Sequence, residues 1–395
     1  MSRTAARRAA ASLVLGLLVA DCGSGAGRPA GTHTAAPASP ALSLATSLSA
    51  AGTTWATIPM GARSGPNEFW QLFTLTSPDG RWSLRTPGGV ATNGALVLAA
   101  QDRQTLAAGI RPSLDLGFSP VTITRDGGGS WSSLPPEPGF ANVPDALAAT
   151  GDGRLAALGQ NQAVQVTSAQ QPRWTALTTR KALAATAAGQ RCALTGLTAV
   201  AYTPGGTALL AGTCRQAGTA GIFALKDGSW QLAGPALPAA LAGRPVRVVR
   251  LSQAGDRDVA LLQAGSGTSA SLLAAWTGDG RTWTLSQPFG LSGAHPVAAS
   301  FGADGTAAVV LSGGRGITVS GPGPGASAPG TAWHQLPSLP PGQAVVLASP
   351  AAGRTDLLAA AGSLLTVWQL TGQPARWTRT QSVKVPIQYG SSSGS

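Results

Sequence analysis

Side chains able to carry acid–base or nucleophilic chemistry are few in this 395-residue chain, in which only 11% of residues are charged. Glycoside hydrolysis by paired carboxyls needs an acid of raised pKa and a partner carboxyl at about 5 to 9 Å. Asp115 and Asp145 could supply such a pair. Aspartate is also a frequent turn residue, and we therefore expect both of them to satisfy loops or face solvent.

The sequence contains no pattern typical of a metal-binding or cofactor-binding site. His33, His295 and His334 lie far apart, with no cysteine or carboxylate at ligand spacing, whereas a zinc site needs three or four such groups. No glycine-rich phosphate loop joins a strand to a helix, because the GPGPG at 321–325 reads as a loop. The sequence therefore predicts no metal ion and no cofactor.

A periodic tryptophan indicates how the chain is organised. Eleven of the 20 aromatic residues are tryptophan, which suggests that one structural role recurs. A turn precedes each of seven tryptophans, and two apolar runs joined by a glycine turn lie upstream, as in 145–160. A third run follows, so each unit of about 40 to 55 residues holds four strands, which is typical of a β-propeller. The seven tryptophans are Trp82, Trp131, Trp174, Trp230, Trp283, Trp333 and Trp377.

The units predict an all-β fold of four-stranded antiparallel blades. A seventh blade would combine N-terminal segments around Trp55, 69–76 and 81–86 with residues 382–389 as its innermost strand, which would close the ring. A six-bladed ring is the alternative. The six complete units span 95–134, 145–177, 197–233, 246–286, 297–336 and 344–380.

Three turns before tryptophan share a further motif: Ser-Pro-Asp-Gly-Arg-Trp at 77–82, Thr-Arg-Asp-Gly-Gly-Gly-Ser-Trp at 124–131 and Thr-Gly-Asp-Gly-Arg-Thr-Trp at 277–283. The last two resemble the Asp-box, or BNR repeat, of sialidase-like propellers, and the first is shorter. Aspartate can accept backbone N–H bonds in such a turn, and glycine supplies positive φ. The resemblance implies structural rather than catalytic roles for Asp79, Asp126, Trp131, Asp279 and Trp283.

The same resemblance implies a sialidase site with an arginine triad, a tyrosine nucleophile paired with glutamate, and an acidic proton donor. Glutamate occurs only at Glu68 and Glu137, and tyrosine only at Tyr202 and Tyr389. Tyr202 has no glutamate near it in sequence, and the Arg-Ile-Pro motif of sialidases is absent. No catalytic residue is therefore assigned, although a sialidase-like exo-glycosidase remains an alternative.

The N-terminus has the parts of an export signal. Three arginines within the first eight residues precede an apolar run at 9–20, too short to cross a hydrocarbon core of about 30 Å. The run ends Leu-Val-Ala-Asp-Cys-Gly, which resembles the lipobox of bacterial, specifically actinobacterial, lipoproteins and implies lipidation of Cys22. Asp21 stands where that family has a small residue, and an ordinary secretory peptide is the alternative.

Differences in composition along the chain indicate the domain boundaries. Residues 23–50 are almost all Gly, Ala, Ser, Thr and Pro, and such a segment cannot bury enough apolar surface to offset its ordering entropy. We predict a signal peptide at 1–21, a disordered tether at 22–50, the β-propeller at 51–389 and a disordered tail at 390–395.

The two remaining cysteines, Cys192 and Cys214, flank a predicted hairpin centred near residue 203. They would face each other near its open end, and in an oxidising compartment this favours a disulfide over free thiols.

The predicted function is that of an exported, membrane-tethered, non-catalytic binding or scaffold module. In a propeller, the loops between blades and those joining second and third strands share one mouth of the channel. Four arginines among the polar residues of this face favour an anionic glycan or wall polymer. The residues are Arg111, Asp115, Glu137, Asp145, Arg244, Arg247, His295 and Arg315.

Export to the cell envelope is also compatible with other partners. A protein-docking scaffold in the cell envelope is a second alternative. The formal charge of +12 is spread over scattered arginines without a basic run, so we expect a solvated surface and no nucleic-acid ligand. We expect a monomer on the outer face of the cytoplasmic membrane, held through its lipid anchor only, or a secreted protein.

Overall fold

The computed structural model contains antiparallel β-sheet almost throughout the residues that it describes. These residues are 44–61, 68–77, 80–88, 96–110, 121–135, 143–215, 218–322 and 331–386. The predicted signal peptide and Cys22, most of the tether, and the tail lie outside them. No helix among the described residues is long and apolar enough to cross a membrane.

The first three units each contain four consecutive strands in antiparallel pairing. Their bounds are close to those predicted from the tryptophan period. The strands are β1 Ala45–Ala50, β2 Thr53–Gly61, β3 Glu68–Leu75 and β4 Ser83–Leu84; β5 Val97–Ala100, β6 Leu106–Gly109, β7 Val121–Thr124 and β8 Ser132–Ser133; β9 Ala146–Ala149, β10 Arg154–Leu158, β11 Ala163–Ser168 and β12 Thr175–Thr179.

Two helices, α1 Arg180–Ala185 and α2 Ala187–Cys192, lead into the fourth unit. Thr179 and Thr186 cap them by accepting the backbone N–H groups of Ala182 and Gly189. The later strands are β13 Leu194–Tyr202, β14 Ala208–Cys214, β15 Ile222–Lys226 and β16 Ser229–Leu232; β17 Val246–Ala254, β18 Arg257–Ala264, β19 Ser271–Thr277, β20 Thr284–Leu285 and the short β21 Phe289–Gly290; β22 Pro296–Phe301, β23 Ala307–Leu311, β24 Arg315–Val319 and β25 His334–Gln335; β26 Ala344–Ala351, β27 Arg354–Ala361, β28 Leu364–Thr371 and β29 Arg376–Lys384. Short 3-10 turns occur at Ala239–Leu241 and Gly267–Ser269.

The hydrophobic cores lie between consecutive units. The middle strands are apolar on both faces, as in β18, where Val259–Leu262 are all fully buried, because each sheet packs against a neighbour on either side. One core joins residues of the first and second units, and others join each following pair. A final core joins the sixth and seventh units to the first. This cyclic packing of four-stranded antiparallel sheets is a β-propeller.

The recurrent tryptophans link neighbouring units. The indole N–H of Trp283 donates to the carbonyl of Ala233 at 2.7 Å, just beyond the outer strand of the preceding unit. Trp174, Trp333 and Trp377 make the same bond to the carbonyls of Pro135, Gln287 and Pro337. One role therefore recurs at four of the seven periodic positions, which explains the tryptophan bias of the composition.

The first and last units meet through β1, which corrects the predicted tether boundary. The tether was predicted to extend to residue 50, but Ala45–Ala50 pairs antiparallel with β2 and parallel with β22. The hydroxyls of Ser47 and Ser49 donate to carbonyls of Leu347 and Ser349 in β26. Small polar residues form an inner strand here because neighbouring backbone satisfies their hydroxyls.

The predicted closure by residues 382–389 is wrong in its described part. Residues 382–384 continue β29, the outermost strand of the last unit, and β1 supplies the innermost strand instead. Residues 387–389 lie outside the described residues. Contact between the two ends is completed by Trp82, whose backbone N–H and C=O bond to the Gln381 side-chain amide at 2.9 and 2.7 Å.

The predicted disulfide is confirmed. Cys192 at the end of α2 bonds to Cys214 at the end of β14, with Cα atoms 5.1 Å apart, and both residues are buried. Gly221 packs against it so closely that a Cβ there would clash with the Cys214 sulfur. The two cysteines are 22 residues apart in sequence, so the bridge closes a loop that contains β13 and β14.

Replacing both cysteines by serine should lower the free energy of unfolding by about 3 kcal/mol, because the open loop gains entropy in the unfolded chain. Urea unfolding of the double variant measures this, and reductant added to the unaltered protein should reproduce the loss. Equal unfolding midpoints with and without the bridge would contradict the expectation.

Candidate functional site

The innermost strands of the first five units surround a cavity of about 80 Å³, which we call the channel-mouth cavity. It lies at the starts of β1, β5 and β9, on the side of the loops that join one unit to the next, and beside the middle of β13 and β17. Its lining residues are Leu44, Thr46, Leu96, Val97, Leu98, Asp145, Ala146, Leu147, Thr198, Ala199, Val200, Val249, Arg250, Leu251 and Ser252.

A second cavity of about 240 Å³ continues the channel toward the other ends of these strands. Leu147, Val200 and Ser252 line both cavities. The far end is bordered by turn residues such as Gln101 and Asp102. Asp102 is engaged in its own turn, where its carboxylate accepts the backbone N–H groups of residues 104 and 105 at 2.7 and 2.8 Å. The carboxyl of Asp102 is therefore already bonded, which leaves that of Asp145 at the channel mouth as the candidate to bind a ligand.

Asp145 directly precedes β9, and its side chain lines the channel-mouth cavity. Its backbone N–H donates to the Leu158 carbonyl at 2.6 Å, which fixes the residue against β10. The residue is 8% exposed, and its Oδ1 atom has no hydrogen-bond partner among the described residues. Burial raises the pKa of this carboxyl to about 6. The hydroxyl of Thr198 in the same cavity is also buried and unpartnered there.

Arg250 extends from β17 to the junction of β1 and β22. Its guanidinium donates to the carbonyl of Ala299 at 2.6 Å and to that of Ser47 at 3.3 Å, and it lies 5.2 Å from the centre of the Phe301 ring. Burial lowers the pKa of Arg250 to about 10, so that it stays charged at neutral pH. No carboxylate pairs with it within the described part of the chain.

The cavity is therefore lined by Arg250, by a carboxyl of raised pKa and by an unpaired hydroxyl. Polar groups buried without partners are costly, and a bound molecule or ordered water that paired with them would remove this cost. A carboxyl of raised pKa could also donate a proton, but no second carboxylate lines this cavity among the described residues. Asp115, the second carboxyl of the predicted hydrolytic pair, lies outside the described residues, and the groups that are described could bind a ligand.

Of the five residues predicted for this face that the structure describes, Asp145 is the one that lines the channel-mouth cavity. Arg111, Asp115 and Glu137 lie outside the described residues. The Arg244 guanidinium donates to the carbonyl of Ser269 in its own unit at 2.8 Å.

The other three described residues also lie apart from the cavity. Arg247 is half-buried in β17, and burial lowers its pKa. His295 and Arg315 are exposed at or beside the starts of β22 and β24. The structure therefore does not gather the predicted set into one site.

Arg250 was missed because the predicted candidates were taken from loops and from the first residues of strands. Its signal was a charge inside the apolar strand Val-Arg-Val-Val-Arg-Leu-Ser. A strand with neighbours on both faces has no solvent side to receive a charge, so a guanidinium there must meet backbone carbonyls or a channel.

The Asp-box aspartates that the structure describes accept hydrogen bonds within their own turns. Asp126 accepts from Thr124 and from Ser130, and these bonds lower its pKa. Asp279 accepts the N–H groups of Arg281 and Thr282 at 2.8 and 2.7 Å. Partial burial raises its pKa, but these bonds outweigh it and lower the pKa to about 2. Asp79 lies outside the described residues.

The tyrosine needed for a sialidase mechanism lies at the end of β13 without a glutamate partner among the described residues. Tyr202 is 4% exposed, its ring lies 5.3 Å from the Arg154 guanidinium carbon, and burial raises its pKa. Clusters of three or more metal-ligating side chains are likewise absent from the described ranges. The Glu68 side chain and Glu137 are not described.

No protein-family model matches the chain, and no curated protein sequence matches it. It is similar in structure to a putative 6-phosphogluconolactonase from Bacteroides uniformis, with TM-score 0.49 and 14% identity over 84% of this chain and 97% of that one. It is similar to YCF48 from Cyanidioschyzon merolae, with TM-score 0.47 and 15% identity over 82% and 95%. A third likeness is to the six-bladed fucose-recognising lectin of Aleuria aurantia, with TM-score 0.38 and 13% identity over 88% and 96%. At these scores the likeness identifies neither a family nor a ligand.

Proposed function

We propose that this chain is an exported, membrane-tethered, seven-bladed β-propeller that binds a ligand at the mouth of its channel without chemically altering it. The observation that carries the proposal is the buried carboxyl of Asp145, whose Oδ1 atom has no hydrogen-bond partner among the described residues, in a cavity that Arg250 also lines. Seven consecutive four-stranded units support the blade number. Export and lipidation rest on the N-terminal sequence alone.

The ligand is an acidic glycan or wall polymer. Arg250 has its charge unneutralised by any described carboxylate, and a neutral Asp145 can donate a hydrogen bond to an anionic oxygen. A space of about 80 Å³ admits only a small group, such as a carboxylate or phosphate on a sugar. The remainder of the polymer would lie across the loops of the mouth, where His295 and Arg315 are exposed.

A binding screen of acidic glycans and cell-wall polymers tests the proposal. Arg250→Gln should weaken binding at least tenfold, because it removes the charge at the mouth. Thr198→Val should weaken it about threefold, and since Thr198 has no hydrogen-bond partner in the described structure, this variant should fold normally. Arg173→Gln, an exposed arginine on another surface, is the control for net charge.

Equal affinity of all three variants for the ligand would contradict binding at the channel mouth. Turnover of fluorogenic glycosides by the unaltered protein would instead favour the glycosidase alternative.

A further inference from the structure

The outermost strand of the last unit is unlike the outermost strands of the others. β29 is nine residues long, whereas β4, β8, β12, β16, β20 and β25 contain two to five residues. Very short edge strands are one way in which proteins avoid unwanted strand pairing. The last unit does not use this device.

β29 presents an edge about 30 Å long, at about 3.4 Å per residue. It pairs with β28 from Arg376 to Lys384 with one register shift at Thr380, and no other strand among the described residues pairs with it. Six of its nine residues are exposed. At one end, Leu364 lies opposite Lys384 and is 42% exposed, the one large hydrophobic side chain in the described structure that is exposed. The edge therefore offers backbone donors and acceptors with an apolar contact beside it.

The charge of this edge has one sign. Arg376, Arg379 and Lys384 are exposed, and no acidic residue occurs within 376–384. A second copy of the strand paired along this edge would bring three further cations to it, and a cluster of like charges is unfavourable. The basic residues thus oppose self-association while attracting an acidic strand.

We propose that β29 docks an extended acidic polypeptide segment of another protein, added to the sheet as a further strand. Backbone hydrogen bonds would give affinity, and the three basic side chains would select for glutamate and aspartate. The chain's own flanking segments do not fit: residues 387–395 carry no charge, and residues 22–43 contain no acidic residue. This surface is separate from the channel mouth, so it stands or falls independently of the proposed ligand.

The test uses the full-length protein and a capped eleven-residue peptide of alternating threonine and glutamate, followed by fluorescence anisotropy at low ionic strength. Simultaneous substitution of Arg376, Arg379 and Lys384 by glutamate should weaken binding at least tenfold. The matched control reverses three exposed cations elsewhere, Arg173, Lys181 and Lys226, and should change affinity less than threefold. Amide exchange of residues 376–384 should slow when peptide is added.

A peptide N-methylated at every residue, which keeps its charge but has no backbone N–H on either edge of the strand, should bind at least tenfold more weakly. Equal binding of the methylated peptide would overturn the proposal, because it would indicate charge attraction alone. Absence of binding, or equal loss in the control variant, would overturn it as well.

Discussion

Replacing Asp258 by asparagine should make the protein more stable at pH 9, and the advantage should shrink toward pH 4. Asp258 in β18 is fully buried, and neither carboxyl oxygen has a hydrogen-bond partner among the described residues. Burial raises its pKa to about 8, against about 3.9 in an unfolded chain. The folded protein therefore holds a proton between these values that the unfolded chain has released.

The direction of the pH effect on stability follows from this difference in pKa between the folded and unfolded states. The contribution of Asp258 to stability is fully present below about pH 4 and is lost as the pH rises to about 8, at up to about 1.4 kcal/mol per pH unit. Asparagine cannot ionise, so the free energy of unfolding of the Asp258→Asn variant should not decrease with pH in this way. Urea unfolding at pH 5, 7 and 9 measures the difference. Asp304→Asn, in an exposed turn, is the control for the loss of one negative charge. If the free energy of unfolding changed with pH in the same way for Asp258→Asn and for the unaltered protein, the account would be contradicted.

The second large effect is expected at Asp356, which is buried like Asp258 but fully partnered. Its carboxylate accepts two bonds from the Arg354 guanidinium at 2.9 and 2.6 Å and one from the Trp82 indole at 3.0 Å. Asp356→Ala should cost about 3 to 5 kcal/mol, because the mostly buried Arg354 loses its partner. The Trp82 bond joins the first unit to the last, so the loss also loosens ring closure.

Denaturant unfolding measures the cost, with Asp152→Ala as the matched control. Asp152 and Arg154 form an equivalent pair two residues apart, but their side chains are 60% and 42% exposed. Such an exposed pair is worth about 1 kcal/mol or less. Similar losses in the two variants would show that burial at Asp356 does not have the effect described. Trp82→Phe should cost about 1 kcal/mol through the indole bond alone.

The contrast between the two buried aspartates follows from strand geometry. Side chains alternate between faces of a sheet, so Arg354 lies on the same face as Asp356, two residues later. Arg257 is adjacent to Asp258 and therefore points to the other face, where it donates to the Pro322 carbonyl at 2.5 Å. A sequence search for arginine two residues from a buried aspartate could have distinguished these sites.

Much of the fold could be predicted from the sequence because its signals were local. Tight glycine turns, apolar runs and the recurrent tryptophan located six units within a few residues of their observed bounds. β1 could not be found this way. Its residues Ala-Thr-Ser-Leu-Ser-Ala have the composition of a linker, and they become an inner strand through partners about 250 to 300 residues away, such as Ala298 in β22 and Leu347 in β26.

The candidate site was predictable only in part for the same reason. Asp145 was found because it begins a predicted unit and could face the channel. Arg250 was not, since its position beside Ser47 and Ala299 depends on β1 pairing with β22. Long-range pairing of this kind leaves no periodic trace in one sequence.

The channel-mouth site is tested most directly by the pKa of the Asp145 carboxyl, followed by NMR without and with the acidic ligand identified in the screen. Without ligand we expect a pKa of about 6. An anion bound beside the carboxyl disfavours its charged form, so saturation with ligand should raise this pKa by at least half a unit. An unchanged Asp145 pKa in a protein saturated with ligand would contradict binding at the channel mouth.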